Sequence, residues 1–258
     1  MLSLGNEAGT SDARRRGRAT LLLMKTKLPP LLCELHAHTT RSDGALSPRE
    51  LCDLFGRAGF DVLAITDHTT PHGNIQQEDF AGYLEELTLE AERARRLYGL
   101  LVIPGLELTC DDPDPVRAGH ALALGLRSFV GVAEGLEPAL RAARAQGAAL
   151  VAAHPYSLPE AADAPRPTAA FAADPARFAP LVDRFELFNR DTLFPWVAEA
   201  ALPAVACGDV HVPAHLETWK TLLPCARDER AVIDYLRSPR PAFLVRLEPA
   251  AEPLSRAA

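Results

Sequence analysis

Ten residues of metal-ligating type punctuate this chain in a regular way. His36, His38 and Asp43 fall in HAHTTRSDG, Asp67 and His68 in AITDH, Glu107 in PGLE, His120 in GH, His154 in AHP, and Asp209 with His211 in GDVH. Any one of them alone reads as a hydrogen-bonded structural residue. Their arrangement says more. His-x-His on an extended chain puts both imidazoles on one face, because side chains alternate with period two. Asp-x-His at 209–211 repeats that geometry. Each motif also adjoins a short apolar run, so a fold that gathers strand ends would gather these groups too. Ten such groups at one place are very costly unless cations compensate them. Metal binding is therefore the economical account. Mixed imidazole and carboxylate donors suit Mn, Zn or Fe, and the lack of Cys in the set disfavours a structural zinc site. The number of donors is enough for two or three divalent ions. Ions held close together by a shared carboxylate are equipped for phosphate-ester hydrolysis, since they lower the pKa of water and neutralise phosphoryl oxygens.

The elements that must position these groups alternate. Apolar runs at 31–35, 61–66, 100–103, 120–126, 148–153, 182–188 and 202–207 read as buried strands, the third broken by Pro104-Gly105. Between them lie helical patterns. Ser47-Pro48-Arg49-Glu50 is an N-cap, a proline at N1 and a Glu three residues past the cap, which together start a helix with Leu51, Leu54, Phe55 and Ala58 inward. Residues 78–98 form a long helix with Leu84, Leu87, Ala91, Ala94 and Leu97 on one stripe, and 132–146 an alanine-rich one. Residues 157–175, rich in proline and alanine, are the least patterned stretch, of the kind that roofs active sites. A short strand near 218–223, a helix near 226–236 and an extended piece near 242–247 follow. Strands alternating with helices indicate a parallel α/β architecture, and seven inner strands favour a closed barrel, whose chemistry collects at the strands' carboxyl ends.

The bulk numbers agree. A chain of 258 residues, 48% hydrophobic and 24% charged, can bury a full core as a globular enzyme. The net charge of −7 argues against stable binding of long nucleic acid. No apolar run approaches the ~18 residues of a membrane span. Five scattered cysteines without a CxxC pair read as buried thiols of a cytoplasmic protein. Residues 1–29 carry six Lys/Arg against two acids and read as a disordered basic arm, with Met24 a possible alternative start. Residues 30–258 make the barrel and its C-terminal extension.

HAHTTRSDG, AITDH, PGLE, GH, AHP and GDVH, in that order, resemble the polymerase-and-histidinol-phosphatase (PHP) family of metal-dependent phosphoesterases, over residues 31–224. The resemblance implies a distorted (β/α)7 TIM-like barrel and a trinuclear site. It implies one metal held by His36, His38, Glu107 and Asp209, a second by Asp43, His68 and His211, and a third by His120 and His154 with Glu107 as bridge. Asp67 would orient a ligand imidazole from behind. A metal-bridging hydroxide would attack the ester, with Glu107, Asp209 and His211 central to the reaction. HTTRSDGALSP and ELFN at 186–189 are similar to a small bacterial branch acting on nucleoside 3′,5′-bisphosphates and short RNA ends. That branch carries a sizeable insertion between the third-strand Glu and the fifth-strand His, where residues 108–153 here are compact. Histidinol phosphate and phosphotyrosyl peptides are the alternative substrates.

Arg41, Arg190 and His72 are the candidates for substrate phosphate, guanidinium being suited to bidentate contact. Asp209, His211 and His72 are available to protonate the leaving oxygen. Arg117 reads as a solvated loop charge, His215 as a helix-start residue and Trp219 as packing under the last strand. No G-x-S-x-G elbow supports a serine hydrolase. The amidohydrolases share His-x-His but often bridge metals with a mid-chain lysine carbamate, and Lys25, Lys27 and Lys220 are all badly placed for that. A metal-binding scaffold without catalysis is the third class.

Overall fold

The computed structural model describes residues 29–162 and 168–248. Nearly all of the expected basic arm, and the last ten residues, lie outside them. β1 (Leu31–Glu34) leads through α1 (Pro48–Arg57) to β2 (Val62–Ile65), and the expected helix start is present: Ser47 Oγ accepts from the Glu50 amide, and the Glu50 carboxylate accepts from the Ser47 amide. β3 (His68–Thr69) precedes α2 (Phe80–Tyr98), whose buried stripe is Phe80, Tyr83, Leu87 and Ala94. Leu97, expected on that stripe, is 61% exposed. The helix stops at Gly99, in the left-handed conformation at φ 69°, and its last inward contact is made by Tyr98, which lies against Gly56 of α1 and donates to Asp53.

β4 (Leu101–Cys110) and β5 (Gly119–Leu124) depart from the expected pattern in two ways. Pro104-Gly105 does not break the strand. β4 pairs with β2 up to Pro104 and with β5 from Gly105 onward, so the proline sits where one ladder hands over to the other. Gly105 is needed there because a Cβ would lie 2.7 Å from the Ala123 carbonyl. Secondly, β5 is antiparallel to β4 and to β6 (Ala149–Ala153), so the all-parallel expectation fails at this strand. The loop from β4 to β5 is too short for a crossover helix, and such a connection can only be a hairpin. α3 (Leu136–Ala145) packs over this region. β7 (Arg184–Asn189), its short antiparallel partner β8 (Thr192–Leu193) and β9 (Ala204–Cys207) follow; then come β10 (Trp219–Leu223), α4 (Glu229–Leu236) and β11 (Phe243–Arg246).

β1, β2, β4, β5, β6, β7 and β9 are neighbours in that order, and the sheet curls until its ends meet. Ala37, just past β1, bridges Val210, just past β9, through His38 N to Val210 O at 2.9 Å and Val210 N to His36 O at 3.0 Å. Below this contact β10 wedges in, antiparallel to β1, and the Thr221 hydroxyl bonds the Ala206 backbone. The result is a distorted seven-stranded barrel. Its interior is filled by Cys33, Leu35, Ala64, Leu122, Val151 and Val205, among others, while a second apolar layer lies between sheet and helices. All five cysteines are buried and unpaired. Among the described residues no helix is long and apolar enough to cross a membrane.

Candidate metal centre

The carboxyl ends of the strands carry the histidines. His36 and His38 extend from β1 into the mouth, and Glu107 lies mid-way along β4, opposite His68 of β3. His36 Nε2 lies 3.3 Å from Glu107 Oε2 and 3.4 Å from Asp209 Oδ1; His38 Nε2 lies 3.4 Å from each. An ion with ~2.1 Å bonds and four to six ligands has ligand edges of ~3.0–3.4 Å, so this donor set has the spacing of a coordination shell. The same atoms supply a second test. His36 Nε2, His38 Nε2 and Glu107 Oε2 are out of reach of solvent and make no hydrogen bond. Buried polar atoms left unpaired cost ~1–3 kcal/mol each, and a divalent cation satisfies all three at once. The residues fit the group.

Two further clusters adjoin the first. Asp43 Oδ1 lies 3.2 Å from His211 Nε2, 3.5 Å from His68 Nε2 and 3.8 Å from His38 Nδ1. Glu107 Oε1 lies 3.0 Å from His120 Nδ1 and 3.1 Å from His154 Nε2. Glu107 thus belongs to two clusters, with one oxygen turned to each. The nine residues expected to bind metal therefore stand together at one mouth. The reversed strand explains how His120 joins them. Because β5 runs antiparallel, its first turn of chain, not its last, reaches the mouth, and His120 pairs across to Thr109 and Ala153.

Backbone strain concentrates here. His154, Arg190 and Asp209 have φ of 29°, 52° and 44°, a left-handed conformation that costs ~1–3 kcal/mol each for residues other than glycine. Asp43 is presented by a turn in which Ser42 N and Gly44 N both donate to Thr39 O, and Ala45 N donates to His211 O at 2.8 Å. Gly44 packs so closely on the His38 carbonyl that a Cβ there would overlap it.

Asp67 does not touch an imidazole. Its carboxylate accepts from Thr39 N, Thr39 Oγ1 and Ser42 Oγ at 2.7, 2.8 and 2.6 Å, and so braces the turn that carries Asp43. Ser42 links it to an imidazole, its Oγ lying 3.5 Å from His38 Nδ1. The carboxylate behind a ring is Glu186, in the middle of β7: Oε1 lies 2.9 Å from His36 Nδ1, and Oε2 accepts from His154 N and Asn189 Nδ2. Thr109 supports His68 Nδ1 at 2.8 Å, and Asp111 meets His120 Nε2 at 2.9 Å. Sequence reasoning assigned no such role to Glu186. The signal was an acid inside the apolar run RFELF, a place where a charge persists only with partners.

Carboxylates interleave with the imidazoles, whose pKa values move in opposite directions. Burial opposes the charged form of His68, but Glu107 and Asp43 outweigh it and push its pKa to about 10. Burial likewise opposes charge on His36, and Asp209, Glu107 and Glu186 drive its pKa up. His38 goes the other way, to about 4, through burial and through the neighbouring His36 and His68 rings. For Glu107, burial is overcome by His68 and His36, and its pKa falls well below the usual range. His36, His38, His154 and the other neighbours do the same for Asp209.

A cavity of 460 Å³ opens over these groups, lined also by Tyr156, Asn189, Arg190, Thr192 and His215. The Arg190 guanidinium donates to the Asp209 carbonyl at 3.0 Å and to its carboxylate at 3.0 Å, and is partly exposed at the rim. His215, expected at a helix start, is instead the third residue of the short 3-10 turn Pro213–Leu216, and its ring lines the cavity. Arg41 is not in the cavity; it pairs with Glu86 on α2 at the molecular surface. His72 is exposed in the loop after β3 and does not line the cavity either. Arg117 is a surface charge paired with Asp112, and Trp219 stacks on Phe188 with ring centroids 4.1 Å apart.

No family model matches the chain. Among solved structures it superposes with a TM-score of 0.66 on a two-domain protein from Bacteroides vulgatus described as containing a predicted PHP-like metal-dependent phosphoesterase; identity is 22%, covering 85% of this chain and 66% of that one. The chain has the PHP fold. An amidohydrolase from Chromobacterium violaceum superposes more loosely, with a TM-score of 0.51 and 16% identity over 70% of this chain and 88% of that one. Curated relatives match a shorter stretch. A 5′-3′ exoribonuclease from Haemophilus influenzae is 37% identical over 76 residues, 30% of this chain and 23% of its own length. A phosphoribosyl 1,2-cyclic phosphate 1,2-diphosphodiesterase from Eggerthella lenta is 33% identical over 93 residues, 36% of this chain and 30% of its own length. The matches thus span under a third of either relative.

Proposed function

We propose that this PHP-fold protein is a cytoplasmic, metal-dependent phosphoesterase acting on a small phosphorylated metabolite or nucleotide, a nucleoside 3′,5′-bisphosphate or a short RNA end. The observation that carries the reading is Glu107, whose two oxygens face two separate imidazole clusters at the floor of an open cavity. His36, His38, Glu107 and Asp209 would hold one divalent ion, Asp43, His68 and His211 a second, and Glu107, His120 and His154 a third. When bound, such ions lower the pKa of water and offset charge on phosphoryl oxygens. The rest falls to the chain. Glu186 and Thr109 fix the ring orientations of His36 and His68. Arg190, held by Asp209 with part of its guanidinium at the rim, presents positive charge to an entering phosphate. Of the three groups considered as proton donor to the leaving oxygen, Asp209 and His211 line the cavity and His72 does not.

The names of the two curated relatives support phosphodiester or nucleotide substrates. The amidohydrolase reading has a specific observation against it. Lys220, the one lysine among the described residues, is buried in an ion pair with Glu34 and cannot serve as a carbamate bridge at the mouth. A panel of a nucleoside 3′,5′-bisphosphate, short 5′-phosphorylated oligoribonucleotides, histidinol phosphate and an N-acyl amide, assayed with added Mn²⁺, tests the proposal. Release of phosphate or nucleotide from the first two supports it. Cleavage of amides with none of the esters turned over would sink it.

A further inference from the structure

The seam where the barrel closes holds a buried ion pair that the proposed chemistry does not use. Glu34 and Lys220 are both wholly buried, 2.7 Å apart. Every polar atom of the pair is engaged. Glu34 Oε1 accepts from the amides of Leu35, His36 and Gly208 at 3.0, 3.0 and 2.9 Å. Lys220 Nζ also donates to His215 O at 3.0 Å and Thr218 Oγ1 at 2.8 Å. Gly208 packs directly on both charged groups, leaving no room for a Cβ. A buried ion pair is weak evidence for stability, since apolar residues of similar volume do as well or better. What apolar residues cannot do is accept hydrogen bonds from three amides. β1 and β9 have no ladder between them at this level, because β10 has wedged in. The Glu34 carboxylate replaces the missing ladder, and it does so at the amides of His36 and of Gly208, the residue before Asp209.

We infer that Glu34 and Lys220 are a positioning pair: they set the separation of the β1 and β9 tips, and with it the 3.4 Å spacing of His36 Nε2 and Asp209 Oδ1 on which metal affinity depends. Lys220 carries the same restraint to the His215 carbonyl and so to the far rim of the cavity. Groups that orient metal ligands from behind are worth ~10–100-fold in metal affinity, and the pair acts on two ligand-bearing tips at once. The inference rests on the metal-binding part of the proposed function and not on the identity of the ester.

The test compares wild type, Lys220→Met and the double variant Glu34→Leu/Lys220→Met, which removes the acceptor of the three amides together with the charge, measuring Mn²⁺ affinity by chelator competition and melting temperature in EDTA. The single variant strands a buried carboxylate and melts lower; the double leaves no unpaired charge and regains most of the melting temperature. Mn²⁺ binding ~10–100-fold weaker in both variants, the refolded stability of the double notwithstanding, supports a positioning role. Affinity restored in the double along with its melting temperature, or unchanged in the single, overturns it. Should Lys220→Met not fold, the double alone decides by the same criterion. Wild type that binds no Mn²⁺ overturns this inference and the metal site together, whereas tight Mn²⁺ binding without ester turnover leaves this inference standing and removes only the phosphoesterase reading.

Discussion

Glu107→Gln is the substitution that interrogates the site most directly, because it keeps the shape of the side chain and removes one charge from between five imidazoles. Its effect on the metal-free protein follows from His68. A pKa of about 10 means that at pH 7 the protonated ring is favoured by three pH units, or ~4 kcal/mol. Burial works against that form, and Glu107 is the larger of the two carboxylates that overcome it, so the variant loses ~2–4 kcal/mol at pH 7. For a domain of this size that is a fall of ~5–15 °C in melting temperature. The sign with pH is fixed. A histidine whose folded pKa lies above its unfolded value of ~6.5 stabilises fully below pH ~6.5 and loses that contribution as pH climbs toward 10. Calorimetry in EDTA should therefore show wild-type stability declining from pH 6.5 to 10 and the variant's curve flattened. Metal analysis supplies the second arm. Glu107 belongs to two of the three clusters, so the variant should retain at most the ion held by Asp43, His68 and His211. A variant that melts within ~2 °C of wild type in EDTA at pH 7, or that binds as many ions as tightly, would refute the assignment of Glu107 as the shared carboxylate.

Three other perturbations separate the parts of the site. Asp43→Ala should remove the complementary ion, lowering metal content and turnover while circular dichroism is unchanged, since Asp43 is partly exposed and lies in a turn outside the core; full metal content would argue that it is a turn former only. Gly44→Ala should also lower metal content, because the new methyl forces the His38 carbonyl and the 39–44 turn apart; unchanged metal binding would show that the turn yields freely. Arg41→Ala breaks a surface pair worth at most ~1 kcal/mol, and kcat/KM on any phosphate ester should stay within about threefold of wild type, a larger loss restoring Arg41 to the substrate-binding set.

Most of the site could be read from the sequence because it is local. His36, His38 and Asp43 fall within one strand end and one turn, and Asp209 with His211 within another, so residue type and period two pointed to them as candidates, and the family resemblance grouped them into ligand sets. What could not be read depends on pairing. Nothing in 101–124 announces that the chain doubles back, and Pro104-Gly105 looked like a stop because its role as a handover between two ladders exists only once β2 and β5 are in place. Glu186 and Glu34 escaped notice for a related reason. Each is one acid in an apolar run, and its partners, His36 and His154 for one, Gly208 and Lys220 for the other, are distant in sequence. Arg41 and His72 lie outside the cavity over the ligand-type residues, because a loop position sets proximity along the chain, whereas the direction of a long side chain is set by neighbours such as Glu86.

The contact that shuts the barrel joins Ala37 to Val210, and the Glu34–Gly208 bond beside it spans 174 positions. Closing a loop carries an entropic cost that rises slowly with its length, and pairing across such a span slows folding. Residues that belong to one cluster thus come from opposite ends of the barrel's chain: His36 and His38 follow its first strand, and Asp209 follows its last inner strand. A cation binding them together would act as a reversible cross-link between those ends, so that chelation should raise amide hydrogen exchange at 36–38 and 208–210 before it does so along β4 and β5.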